Sequence, residues 1–180
     1  MNTLVDVSLC ISLLPSESSF YGADPIVENN ERLYSKFGTF FPFAVGNKSG
    51  ILDASVYVNR KYISQKAIHV ELVYFLTEII RQKVYDHAII DAEGTEYGIL
   101  PYFYRGGQFD QNDITFCQFN IEIHMPDDRK KEMFREFIFT LLRESRYVML
   151  RAIRVDHYRM YFLNFANPYC VSRYVLEIDD

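Results

Sequence analysis

The sequence predicts an α+β fold, in which a mostly antiparallel mixed sheet of about seven strands carries two main helices packed on one face. Three observations lead to this prediction. Segments with alternating apolar and polar residues follow one another along the chain. Two longer segments instead repeat their apolar residues at helical spacing. The aromatic content is 16%, carried by 14 tyrosines and 15 phenylalanines, and such residues favour strands.

The first third of the chain reads as strands separated by turns and one short helix. Residues 5–13 alternate apolar and polar side chains, which indicates a half-buried strand. Residues 13–25 are rich in turn-forming residues. A short helix is expected over 26–37 and a loop over 38–50. The segment 51–63 again has the period of a strand.

The first main helix is expected over about 65–85. Ser64 suits its N-cap position, and the apolar residues that follow recur every three or four positions. A short strand at 87–91 comes next. A further strand is expected at 95–105, where Pro101 indicates a sheet edge or a bulge.

The second main helix begins at Pro126, a residue favoured at the first helical position, and extends to about residue 145. The strand at 116–125 leads into it. Residues 146–165 are expected to form a long strand or a bent pair, and 171–178 a last strand. The strand–helix–strand unit 114–157 has the order of one parallel crossover.

The length of 180 residues predicts a single globular domain over 1–180 with a sizeable core. No apolar run is long enough to span a membrane, and no basic residue precedes the apolar run at 7–14. We therefore predict a soluble, cytoplasmic protein with no membrane partner. Cys10, Cys117 and Cys170 are accordingly expected to be buried, reduced thiols.

Charge is distributed unevenly along the chain. Residues 86–128 contain nine acidic residues and one basic residue, whereas 32–85 and 129–160 each carry a net charge of +5. One interpretation is that these charges pair across strands in the folded protein. The other is an exposed acidic region, which would repel nucleic acid and favour a basic protein partner. The absence of a basic stripe from the sequence also argues against a nucleic-acid-binding protein.

The predicted function is that of an acidic protein-binding module, similar to an immunity protein or antitoxin that neutralises a basic partner such as a nuclease toxin. We expect a binding protein rather than an enzyme, with no catalytic residues, no cofactor and no metal. The predicted partner-binding residues are Asp91, Glu93, Glu96, Asp110, Asp113, Gln118, Asn120, Glu122 and His124. The first three are expected to be exposed on one rim, beside the loop that holds Asp110 and Asp113.

Two alternatives remain open. A metal-assisted enzyme would use Asp91, Glu93, Glu122 and His124, because carboxylates and an imidazole can hold a metal or move a proton. Glu122 and His124 are two residues apart on one strand, so they share a face. No nucleophile motif accompanies them, which favours the solvent side of a sheet over an active site. The second alternative is an acidic, dimeric secretion chaperone.

Overall fold

The protein has a mixed α+β fold, as predicted, but its strands do not form one sheet. The computed structural model describes residues 17–58, 61–124 and 126–176. Within these residues the strands pair in separate sheets of two, three and four strands, so the predicted seven-stranded sheet is wrong. The strand expected at 5–13, together with Cys10, lies outside the described residues.

The chain divides into two compact units, Met1–Phe43 and Ala44–Asp180. No helix in the described part of the chain is long and apolar enough to cross a membrane.

The first unit contains a strand–helix–strand motif. Strands β1 (Tyr21–Ala23) and β2 (Thr39–Phe41) pair in parallel, and helix α1 (Glu28–Tyr34) connects them, which confirms the helix expected within 26–37. Parallel neighbours require a crossover of this kind. The helix packs closely on the strand, since a Cβ atom at Gly22 would lie 2.5 Å from the ring of Tyr34.

The three-stranded sheet of the second unit has the order β3-β5-β4, with β3 at Ala44–Gly46, β4 at Gly50–Val58 and β5 at Lys61–Glu71. The last two form a long antiparallel hairpin. The helix expected over 65–85 is therefore largely wrong. Pairing with β4 up to His69, and with β3 from His69 to Glu71, overrides the helical spacing of the apolar residues.

Helical structure follows β5 only over nine residues. Helix α2 (Leu72–Tyr74) continues as a π-helical turn (Phe75–Ile80) that ends at Arg81 with φ +62°. The side chain of Glu71 accepts a hydrogen bond from the backbone N–H of Tyr74 and so caps this helix.

The four-stranded sheet has the order β6-β7-β9-β8. Its strands are β6 (Val84–Ile90), β7 (Thr115–Ile123), β8 (Tyr147–Arg154) and β9 (Tyr158–Asn164). The pair β6–β7 is parallel, and β9 runs antiparallel to both of its neighbours. Strands β7 and β8 are thus parallel to each other, which agrees with the crossover expected within 114–157.

Helix α4 (Asp128–Glu144) makes this crossover and confirms the second predicted helix. The Asp127 side chain accepts the backbone N–H of Lys130 at 2.8 Å and caps the first turn. At the other end, Ser145 adopts φ +51° and stops the helix.

Two predicted strands are helical in the structure. The segment 95–105 forms two 3-10 turns, Glu96–Gly98 and Leu100–Phe103, and is followed by helix α3 (Gln108–Gln111). Residues 171–174, the first half of the segment 171–178, lie in helix α5 (Pro168–Tyr174). Asn167 caps α5 by accepting the backbone N–H groups of its first turn, a short-range contact that the alternation of residues does not reveal.

The core of the second unit is aromatic and lies between the apolar face of the four-stranded sheet and α4. Phe103 is fully buried at its centre, with ring centroids 4.3 Å from Phe119 and 4.8 Å from Phe109. The other large buried rings are Phe116, Phe137, Tyr147 and Phe162. This face of β7 must point at the helix, so its opposite face carries the polar side chains.

Cys117 and Cys170 form a disulfide that joins β7 to α5 across 53 residues of sequence. Both are completely buried. Burial was predicted correctly, but the prediction of reduced thiols is wrong for this pair. A separation of 53 residues in the sequence gives no indication that two cysteines meet.

Candidate active site

The register of the four-stranded sheet brings chemically active side chains together at one edge. Ile90, the last residue of β6, pairs with Ile121 of β7. Asp91 therefore follows directly beside Glu122, and His124 follows directly after β7. The carboxyl ends of parallel strands meet at this edge, which is where ligands bind in open α/β sheets.

The neighbouring strand adds two further residues to the same edge. Glu122 pairs with Arg159 of β9, and Ile123 pairs with Tyr158. His157, the residue before β9, therefore lies beside His124, with ring centroids 4.4 Å apart. We call Asp91, Glu93, Glu96, Glu122, His124 and His157 the His124 cluster.

The imidazole of His124 is the centre of the cluster and its side chain is only 4% exposed. Its Nε2 lies 3.4 Å from Asp91 Oδ1, 3.8 Å from Glu122 Oε2 and 3.9 Å from Glu93 Oε2. Its Nδ1 lies 3.5 Å from Glu96 Oε1, too far for a well-formed hydrogen bond. The prediction that His124 lies on the solvent side of the sheet is therefore wrong.

Glu96 is a fully buried carboxylate that holds the cluster in place. Its Oε1 accepts the backbone N–H of His124 at 2.6 Å, and its Oε2 accepts the backbone N–H of Gly94 at 2.6 Å. The turn between Asp91 and Glu96 reverses tightly because Gly94 adopts φ +100°. The prediction that Glu96 is exposed is therefore wrong, because its carboxylate is buried and accepts these two backbone N–H groups.

Glu122 links the two histidines to an arginine. Its Oε2 contacts Nε2 of His157, and its Oε1 lies 3.0 Å from Nε of Arg159. The same Nε of Arg159 donates to Nε2 of His157 at 3.1 Å. Glu122 and His157 are mostly buried, whereas the side chain of Arg159 is 53% exposed.

Burial and the charges of neighbouring groups shift the pKa values of three residues in the cluster. Burial, followed by the charge of Glu122, raises the pKa of Asp91. Burial also raises the pKa of Glu93. Burial by itself lowers the pKa of His124, but the carboxylates of Glu96, Glu93 and Asp91 outweigh it, so this pKa is raised overall. The cluster therefore favours bound protons or another cation.

The other predicted site residues lie elsewhere on β7 or in the α3 region. Gln118 accepts a hydrogen bond from the Tyr161 hydroxyl, and Asn120 contacts Nε2 of His87 at 3.2 Å. Both side chains lie on the polar face of the sheet. Asp113 is exposed after α3. Contact of any of these residues with a basic protein partner stays a prediction.

Asp110 is engaged by an internal partner rather than open on an acidic rim. Its two carboxylate oxygens accept from the two terminal nitrogens of Arg146 at 2.7 and 2.6 Å, and Oδ2 also accepts the backbone N–H of Gly106. The hydrogen bonds from Arg146 lower the pKa of Asp110. Charge pairing across the fold, the alternative left open by the sequence, therefore holds at this position.

Replacing Asp110 by asparagine is expected to lower the free energy of unfolding by about 1 kcal/mol at pH 7, a value discounted because the carboxylate is partly exposed. The folded pKa is depressed below the unfolded value of about 3.9, so the stabilisation is complete above that value and is lost as pH falls through the folded pKa. Urea unfolding at pH 7 and pH 3 should show the difference from wild type shrinking at pH 3. The exposed Asp113→Asn variant is the control, and an equal effect of both variants would contradict the prediction.

Sequence reasoning did not find His157 and Arg159. Adjacent residues of a strand face opposite sides, so the alternation of residues does not bring His157 together with its neighbour Asp156. The residue that His157 meets is instead His124, on a different strand. The signal that would have found it is a hairpin within 146–165, since a turn at residues 155–157 pairs β9 with β8 and places His157 directly before β9.

A comparison with known families identifies the chain. A family model of the methyltransferase FkbM domain matches residues 20–149, which are 130 of the 180 residues. The match includes Asp91, Glu93, Glu96, Glu122 and His124 and ends before His157. No curated protein and no solved structure matches the chain. The match overturns the prediction of an immunity protein or toxin inhibitor, because it describes a methyltransferase-like enzyme. The chain belongs to the FkbM methyltransferase domain family.

Proposed function

We propose that the protein transfers a methyl group from S-adenosylmethionine to a hydroxyl-bearing acceptor, and that the His124 cluster is where the acceptor loses its proton. Membership of the FkbM family supports the class of reaction. The observation that carries the location is the convergence of four carboxylates and two imidazoles at the carboxyl ends of β6 and β7. Groups of this kind act as general acids and bases when they are held within reach of a substrate.

The residues of the first unit suit the ribose of this cofactor. Asp24 directly follows β1, at the carboxyl end of the first strand of a parallel strand–helix–strand motif. A carboxylate close to such a strand end is the group that binds ribose hydroxyls in nucleotide-binding folds. Its Oδ1 accepts the backbone N–H of Ile26 at 2.6 Å, which fixes the orientation of the carboxylate. S-adenosylmethionine, when bound, supplies an electrophilic methyl group.

The chain's own contribution to the chemistry is proton removal, and Asp91 is the residue placed for it. Its side chain is 49% exposed, whereas that of His124 is 4% exposed, so an acceptor can reach the carboxylate. Its Oδ1 lies 3.4 Å from Nε2 of His124 at the sheet edge. Glu96 in turn fixes the backbone at His124. Asp91 therefore takes the hydroxyl proton, and His124 positions it.

The Cys117–Cys170 disulfide weighs against the predicted cytoplasmic location, because structural disulfides are rare in reducing compartments.

Binding of S-adenosylmethionine tests the proposal directly. Titration calorimetry should show binding to the wild-type protein and an affinity about tenfold weaker for Asp24→Asn, because a hydrogen bond to a charged acceptor contributes roughly 1.5–3 kcal/mol. Asp53→Asn is the matched control, since Asp53 is 67% exposed and forms an ion pair with Lys66 across the β4–β5 hairpin. Its affinity should equal that of wild type.

Transfer is then measured with a cofactor that carries an isotopic label on its methyl group and a panel of acceptors with and without hydroxyl groups. The label should appear on hydroxyl oxygens and should depend on the protein. Absence of cofactor binding at millimolar concentration would overturn the proposed function. Equal binding by wild type and Asp24→Asn would remove Asp24 from the cofactor site.

A further inference from the structure

We infer that Glu122, His124 and His157 form a binding site for a divalent transition-metal ion. One ligand atom from each residue lies within 4.8 Å of the other two. An ion with bonds of about 2.0–2.2 Å joins donors up to about 4 Å apart, so small side-chain adjustments close the site. Two imidazoles with one carboxylate suit ions such as Zn²⁺ or Fe²⁺ rather than Mg²⁺ or Ca²⁺, which prefer oxygen.

The imidazole of His124 is buried and presents Nε2 to the proposed site. Its side chain is only 4% exposed. Its Nδ1, which faces Glu96, has no hydrogen-bond partner among the described residues. Its Nε2 faces the carboxylates of Asp91 and Glu122. Glu96, on the Nδ1 side, lies where a carboxylate commonly orients a metal-binding histidine.

The charge balance also favours a cation. Imidazoles that bind a metal are neutral. Among the contacts described above, the negative charges of the four carboxylates are then balanced by one positive charge, that of Arg159. The ammonium of Lys130 lies nearby over the ring of Tyr97. The buried Oε2 of Glu93 has no hydrogen-bond partner among the described residues. An ion bound at Nε2 of His124 would neutralise part of this excess negative charge.

Arg159 occupies the position of a cation between two of the three proposed ligands. Its Nε contacts both Oε1 of Glu122 and Nε2 of His157. A guanidinium cannot contact these groups and leave the imidazole lone pair available to a metal ion. Because half of the Arg159 side chain is exposed, it can turn into solvent when the ion binds. Arg159 therefore competes with the metal.

The role of the ion rests on the proposed function, whereas its binding does not. A Lewis acid next to Asp91 would polarise the oxygen of a hydroxyl acceptor and favour transfer of its proton to the Asp91 carboxylate. In this arrangement Asp91 and Glu93 lie near the ion but do not bind it.

Metal binding is tested with Zn²⁺ by titration calorimetry and with Co²⁺ by visible absorption, in the absence of cofactor and acceptor. We expect one ion per chain, and at least a tenfold loss of affinity in Glu122→Gln and in His157→Gln. His87→Gln is the matched control, because His87 is an exposed histidine on β6 that contacts Asn120 outside the cluster. Thermal unfolding of each metal-free variant checks that it is folded.

Arg159→Gln provides the decisive second variant, because it should bind Zn²⁺ more tightly than wild type. A merely structural role of Arg159 would not produce this gain. No binding of Zn²⁺ at millimolar concentration, or equal binding by wild type, Glu122→Gln and His157→Gln, would overturn the inference. Metal binding without cofactor binding would instead refute only the proposed function, and cofactor binding without metal binding would refute only this inference.

Discussion

Replacing Asp91 by asparagine is expected to lower kcat for methyl transfer by about 10²–10⁴-fold, the usual contribution of a positioned general base. The amide is nearly the same size and retains an oxygen that faces His124, but it cannot take the proton of a hydroxyl acceptor. KM should change little, because the shape of the site is preserved. Steady-state kinetics at saturating cofactor measure both constants.

The control for this prediction is Asp113→Asn, which removes an exposed carboxylate from the same acidic segment without touching the His124 cluster. It should leave kcat unchanged. A kcat of Asp91→Asn within threefold of wild type would show that another group takes the proton. A large rise in KM with constant kcat would show that Asp91 binds the acceptor without acting as a base.

The second main helix was predictable because its signals are local. Pro126 and Asp127 mark its start, and its apolar residues repeat at helical spacing. The polar face of β7 was predictable for the same reason, since alternation alone places Glu122 and His124 on one side. The helix over 65–85 failed because β5 pairs with β4 up to His69 and with β3 up to Glu71, and this pairing decides the conformation.

The burial of His124 depends on contacts between distant parts of the sequence. The turn from Asp91 to Glu96 covers it from the β6 side, and His157 covers it from the β9 side. Both contacts follow from strand register, which a single sequence does not specify. The prediction of an exposed acidic region over 86–128 counted Glu96 and Asp110 in the same way as acidic residues on the surface. In the fold, Glu96 caps two backbone N–H groups and Asp110 binds Arg146.

Replacing Glu96 by alanine is expected to lower the free energy of unfolding by about 3–5 kcal/mol. The buried N–H groups of Gly94 and His124 would each lose their acceptor, at about 1–3 kcal/mol each, and a cavity would remain. Glu96→Gln should have a smaller effect, because its single amide oxygen still accepts one of the two N–H groups. Urea unfolding at pH 7 measures the series, with the exposed Glu132→Ala as control, whose pair with Arg135 on α4 should contribute no more than about 0.5 kcal/mol. If Glu96→Ala costs less than about 1 kcal/mol, or Glu96→Gln costs as much as alanine, this carboxylate does not hold the site together.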